Sequence, residues 1–340
     1  MRPRGPLTDA LLAALRGPVG DVGPLSAAGG FEDLHLALYL CYELHYRGLP
    51  GVDDEWEWEP SLLAVRRELE AAFLDELHAA VPRVDAPAGD LDLALRAIAE
   101  DDAGPSLSKH LERDGTLEQV REFVVHRSAY QLKEADPHSF AIPRLSGAPK
   151  AALVEVQADE YGGGRAERIH AELFAAALDE LGLDARYGAY LDVIPGVTLA
   201  TVNLMSLLGL HRRWRGAIVG HLALFEMTSS IPNRRYANGL RRLGCGPRAT
   251  AFFDEHVEAD AVHEQIAAVD LAGGLARQEP ALAPDILWGA RALAEVERRW
   301  ACHLLDAWAA GRSSLLAPLG GAGGAEADDL VASVAEGADA

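Results

Sequence analysis

Cysteine is scarce in this 340-residue chain, which contains only Cys41, Cys245 and Cys302. Three scattered thiols exclude a disulfide scaffold and a thiolate zinc cluster, and they fit a reducing cytoplasm. Basic residues are also outnumbered, 31 against 52 acidic ones, for a formal net charge of −21. Nucleic acid and anionic membrane surfaces both attract basic proteins, so neither is an expected partner. No Cys-x-x-Cys-His sequence is present, which argues against covalently attached haem, while a single histidine would suffice for a noncovalent one. The start of the chain lacks the uninterrupted apolar core and small-residue cleavage site of a secretory signal and is expected to be a frayed end or a short helix.

Long apolar runs are rare too. The one that needs a membrane test is Val193 to Leu210, eighteen residues without a formal charge. It sits at the lower limit for a spanning helix and is interrupted by Pro195, Thr198, Thr201, Asn203 and Ser206, so it reads as a central helix covered on nearly all sides.

What the sequence has in quantity is helical periodicity, and sustained strand alternation is scarce, so the expected class is all-α. Residues 31–48 repeat apolar side chains at three- and four-residue spacing and end at a glycine. A second helix starts at Ser61 after Pro60, and the acidic loop between the two carries Trp56 and Trp58, which either stay wet or seal an edge of the core. Thr116 and Gln119 form a capping-box pattern at the head of a helix running to Asp136. Residues 137–150 read as a loop. Helical patterning resumes at Ala151 and continues through the 170s, loosened by Gly162, Gly163 and Gly164. Further helices are expected over 173–181, 187–208, 211–228, 233–243, 247–272 and 283–310. The domain reading is a helical N-terminal portion over 1–110 packed on the core, a core over 111–310, and a disordered glycine- and acid-rich tail over 311–340.

The candidate chemistry is concentrated in a few helical stretches. In FFDEHVEADAVHE, residues 252–264, a helix advances about 100° per residue, which puts His256, Asp260 and His263 on one narrow stripe. Glu255, Glu258 and Glu264 point elsewhere, as a solvated face would have them. In VEVQADEYGGGRAERIHAEL, Glu160 or Glu167 can join His170, and Glu167 has the Glu-x-x-His spacing of carboxylate-bridged dimetal bundles. Glu226 follows Leu222, Ala223, Leu224 and Phe225, so its carboxylate is expected to be buried, a costly position unless it is neutralised, hydrogen-bonded or bound to metal. Glu134 lies near a helix end beside Lys133 and Asp136. Hard carboxylates with imidazoles suit iron or manganese.

The ordered set HRSAYQLKEADPHSFAIPRL, VEVQADEYGGGRAERIHAEL, HLALFEMTSSIPNRRYANGL and FFDEHVEADAVHE resembles the haem-oxygenase-like diiron oxidases, an iron-containing redox enzyme family, over roughly Val120 to Trp308. The resemblance implies a haem-oxygenase-like helical bundle holding two Fe(II)/Fe(III) ions per chain, with O2 as co-substrate. It assigns ligand roles to Glu134, Glu160, His170, Glu226, His256, Asp260 and His263, preferring Glu160 over Glu167. It further implies oxidation of a small amine, amino acid or carboxylic acid, by oxidative carbon–carbon cleavage or N-oxygenation, with electrons from an unspecified donor. Arg144, Arg234 and Arg235 are candidates for binding a substrate carboxylate through the guanidinium fork. The competing reading is a non-catalytic helical metal-binding or interaction protein, and a helical homodimer is a reasonable assembly.

Overall fold

The computed structural model describes residues 1–23, 25, 29–85, 88–101 and 104–319, apart from the side chains of Ala88 and of residues 258–262. No β-strand occurs among the described residues. The α-helices are α1 (Pro6–Leu15), α2 (Phe31–Glu43), α3 (Pro60–Ala80), α4 (Leu91–Glu100), α5 (Leu107–Arg113), α6 (Leu117–Gln131), α7 (Asp136–Ser139), α8 (Gly147–Glu160), α9 (His170–Glu180), α10 (Gly196–Leu210), α11 (Arg215–Arg242), α12 (Pro247–Gln265), α13 (Gly274–Gln278) and α14 (Ala283–Ala309). The all-α, haem-oxygenase-like class expected from periodicity and resemblance is the class observed.

Long helices α11 and α14 form the spine. A Cβ on Gly220 would overlap the Ile286 carbonyl, and one on Gly289 would overlap the Ala217 carbonyl. The two backbones therefore cross in direct contact, which only residues without a side chain permit. Helix α11 spans what periodicity divides into two helices at Pro232. The helix stays continuous through the ring despite its lost N–H, with α12 and α14 packed along α11.

Helix α10 is the uncharged run, and every residue from Thr198 to Gly209 is buried. It packs against α2, α11 and α14. Two of its polar side chains donate to carbonyls: Asn203 Nδ2 to that of His35 on α2 at 2.9 Å, and Thr201 Oγ1 to that of Thr198 at 2.8 Å. No described helix is long and apolar enough to cross a membrane.

Apolar residues of α1, α2, α3 and α4 share one cluster with those of α10, α11 and α14, so the N-terminal portion and the core are continuous. Trp56 is buried at the edge of that cluster while Trp58 is exposed. Past α14, Ser314 Oγ donates to Glu122 Oε2 at 2.6 Å and pairs with His126 Nε2 at 3.0 Å, and Leu316 N donates to the Val193 carbonyl at 2.8 Å. Residues 314–316, placed in a disordered tail by composition, are thus bonded to the body; residues 320–340 lie outside the described residues.

Local signals explain the helix ends nearest the site. The Thr116 and Gln119 side chains form the reciprocal capping box at the start of α6. Helix α8 stops at Glu160, because Gly162, Gly163 and Gly164 take φ values of 70°, 60° and 80°, the left-handed region that L side chains avoid. The three glycines, expected to loosen the helical run through the 170s, interrupt it. The chain turns instead and restarts as α9 at His170.

Between α6 and α7 the turn carrying Glu134 is tied to α2 from inside the protein. Lys133 Nζ donates to Glu43 Oε2 at 2.7 Å, with both side chains at most 2% exposed, and lies 4.0 Å from the Tyr46 ring centroid. Tyr187 donates its hydroxyl to the same Glu43 oxygen at 2.8 Å. Removing one partner of such a pair strands a buried charge, whereas replacing both with apolar groups is often near neutral. Lys133→Met should therefore destabilise the fold by roughly 3–5 kcal/mol, and Lys133→Met with Glu43→Leu should recover most of that loss. Urea unfolding of the two variants checks the difference.

Candidate metal centre

Six of the seven candidate ligands converge from the turn after α6, the end of α8, the start of α9, the middle of α11 and the second half of α12. Glu134, Glu160, His170 and His256 form one group, and Glu160, Glu226 and His263 form a second, with the potential ligand atoms within 4.8 Å of one another in each. Glu160 belongs to both. All six residues are buried. Asp260, the seventh, has its side chain outside the described residues.

The geometry between imidazoles and carboxylates is that of paired acceptors. His256 Nδ1 donates to the Phe252 carbonyl at 2.8 Å, so Nε2 carries a lone pair and faces Glu134 Oε1 at 3.5 Å. His263 Nε2 donates to Asp159 Oδ2 at 2.9 Å, which turns Nδ1 toward Glu226 Oε2 at 3.4 Å. His170 Nδ1 lies 3.0 Å from Glu160 Oε2. Glu134 Oε2, Glu160 Oε2, His170 Nδ1 and His263 Nδ1 are all buried without a hydrogen bond of acceptable geometry. Buried polar atoms are ordinarily satisfied, and lone pairs aimed at carboxylates are satisfied together by a cation between them. The residues present fit a metal, and their oxygen and imidazole nitrogen donors suit iron.

The electrostatics point the same way. Burial would raise Glu160, but the His170, His256 and His263 imidazoles outweigh it and hold the carboxyl at about 2. Glu226 moves the other way, raised first by burial and then by the neighbouring Glu160 charge. For His263, burial opposes protonation, yet Glu226, Asp159 and Glu160 lift it to about 9. In the metal-free protein a proton therefore stands on His263 where a metal would bind.

The other predicted residues lie elsewhere. Glu167 is exposed in the turn Ala166–Arg168 and belongs to neither group, because the glycine turn breaks the helical phase that would have aligned it with His170. Arg144 donates to the carbonyls of Gly209 and Leu210, capping the end of α10. Arg234 is exposed, and Arg235 donates to Ser108 Oγ at 3.2 Å. None of these three arginines lines the cavity beside the candidate ligands.

That cavity has a volume of about 320 Å3 and opens onto Glu134, Glu160, Glu226 and His256. Tyr130 and Phe225, stacked 5.6 Å apart, form part of its wall. Three participants escape sequence reasoning. Asp159 orients His263 from the residue before a ligand, and Arg127 and Glu297 meet at the cavity wall from helices α6 and α14. No local pattern links positions 127 and 297.

The chain is an all-α bundle among its described residues, with a buried cluster of imidazoles and carboxylates beside a cavity. The family model described as iron-containing redox enzyme covers residues 121–298, just over half of the chain, and the chain belongs to that family. No curated protein matches its sequence.

Proton and metal compete for His263 Nδ1, because a ligand nitrogen must be deprotonated. The folded pKa of about 9 lies above the ordinary value, so the bound proton is present below that pH and lost above it. Metal affinity at the Glu226–His263 group should accordingly rise by up to about tenfold per pH unit from pH 7 toward 9, as measured by Fe(II) or Co(II) titration under argon. Glu160→Gln should weaken both groups, while Glu167→Gln should leave metal stoichiometry unchanged in elemental analysis of the loaded protein.

Proposed function

We propose that the chain is an O2-dependent non-haem diiron oxidoreductase acting on a small amine, amino acid or carboxylic acid. The observation that carries this reading is the pair of overlapping buried groups sharing Glu160, in which Glu134 Oε2, Glu160 Oε2, His170 Nδ1 and His263 Nδ1 have no hydrogen bond of acceptable geometry. Glu134, Glu160, His170 and His256 would hold one iron, and Glu160, Glu226 and His263 the other. Iron held there would supply the electrons and open coordination positions for reducing O2 beside an organic substrate.

The protein's own part is positional and electrostatic. The Phe252 carbonyl fixes the tautomer of His256 with Nε2 inward, and the Asp159 carboxylate turns Nδ1 of His263 toward Glu226, where loss of its proton frees a lone pair for a metal. Burial pushes the cavity-lining His138 down to about 4, leaving it a neutral imidazole paired with His221 at 3.1 Å. Leu222, Phe225 and Leu293 give the cavity apolar walls that exclude water from the substrate. A storage or purely structural metal protein would not need an organic-sized cavity against its ligands, and that space favours the enzyme over the non-catalytic alternative. Both oxidative carbon–carbon cleavage and N-oxygenation fall within the proposal, and product analysis distinguishes them.

Anaerobic titration should saturate at one Fe(II) for each ligand group, and rapid mixing with O2 should then produce a transient visible absorption. His256→Ala or His263→Ala should lose iron and the transient while keeping the helical circular dichroism. A folded wild-type protein that neither binds iron nor consumes O2 would eliminate the reading.

A further inference from the structure

Outside the two ligand groups, the wall of the same cavity carries a second pair of charges. Arg127 donates from its two terminal nitrogens to the two oxygens of Glu297, at 2.9 and 2.6 Å, and its guanidinium lies 3.9 Å from the Trp300 ring centroid. The side chains are 14% and 22% exposed. The pair also lines a neighbouring cleft of about 640 Å3 along α14, so it stands between that cleft and the space beside the ligands. Among the described lining residues of the inner cavity, Arg127 is the one Lys or Arg, and Glu297 and Asp101 are the acids outside the ligand groups.

A solitary arginine in such a wall would select a carboxylate. Here the guanidinium fork is already engaged, which changes the selection. A monocarboxylate that takes Arg127 leaves Glu297 largely buried and unpaired, and a simple amine that takes Glu297 leaves Arg127 so; either exchange costs much of what it gains. A molecule carrying both charges on adjacent atoms can replace each partner at once. Its carboxylate accepts from Arg127 and its ammonium donates to Glu297, so no buried charge is stranded.

We propose that the Arg127–Glu297 pair is the recognition point for a zwitterionic substrate head, an α-ammonium with its carboxylate, with the remainder of the molecule lying in the apolar cavity toward Glu134 and Glu226. This rests on the oxidoreductase reading for the identification of the cavity as substrate space. It narrows the substrate class to amino acids over fatty acids and simple amines, and it moves the substrate arginine from Arg144, Arg234 and Arg235 to Arg127. The step is binding alone; no bond is made or broken at the pair.

The test is calorimetric titration of anaerobic, iron-loaded protein with norleucine and phenylalanine, each beside its des-amino and decarboxylated counterparts: hexanoate and pentylamine, 3-phenylpropanoate and phenethylamine. At least one amino acid should bind on the order of tenfold or more tighter than both of its counterparts, a preference worth about one charge-assisted hydrogen bond. Glu297→Gln should remove that advantage and improve binding of the carboxylate; Arg127→Met should shift preference toward the amine. Should either single variant misfold, the double variant Arg127→Met with Glu297→Leu keeps the wall uncharged and should bind all three forms without preference. Equal binding of amino acid and carboxylate by the wild type, no binding of any probe, or a zwitterion preference surviving in the double variant would each overturn the proposal. Iron stoichiometry is measured on the same samples: a protein that holds no iron yet discriminates the zwitterion keeps the anchor and loses the diiron reading.

Discussion

Three buried carboxylates, Glu134, Glu160 and Glu226, face three buried imidazoles, and Nδ1 of both His170 and His263 has no hydrogen bond of acceptable geometry. In a low-dielectric interior such an arrangement cannot stand as bare charge and lone pair; it requires cations, either protons or metal ions. The raised His263 and the depressed Glu160 are the metal-free expression of that requirement. Much of the surrounding structure reads as the means of holding these six groups together against their mutual cost.

Glu134, Glu160, His170 and Glu226, four of the candidate ligands, are placed by local devices. The glycine turn at 162–164 brings the end of α8 against the start of α9, so that Glu160 and His170 meet at 3.0 Å across a break in the chain. The direct backbone crossing at Gly220 and Gly289 seats α11 on α14 along the run that leads to Glu226. A fully buried Lys133–Glu43 pair anchors the turn of Glu134 to α2. Glu43 lies outside the segment matched by the family model, so part of the support for the centre comes from the N-terminal helices. That continuity is also visible in the shared apolar cluster, which leaves no seam between the N-terminal portion and the core.

Much of the fold was legible because helical periodicity and capping act within one or two turns. The capping box at Thr116, the buried run of α10 and the inward phase of His256 and His263 all follow from spacing alone. Where the local rule had to be extended across a break, it failed: three glycines stop α8, so the angular alignment of Glu167 with His170 has no helix to act through. Pro232 misleads in the opposite direction, since α11 continues through it with α12 and α14 packed along the helix. The substrate arginines were sought near the resembling motifs, but Arg144 has its donors committed to the end of α10.

By itself the sequence determined the helical class, the polar partners that define a nitrogen and oxygen metal set, and the choice of Glu160, which rested on resemblance to a family and not on spacing. Only the tertiary structure decided that Glu160 serves both ligand groups, that Asp159 turns His263, and that Arg127 meets Glu297 across 170 positions. The physical reason is range. Backbone hydrogen bonding and side-chain periodicity are settled between residues three or four apart, whereas a carboxylate's partner in a folded interior is whichever group the packing of distant helices brings within about 3 Å.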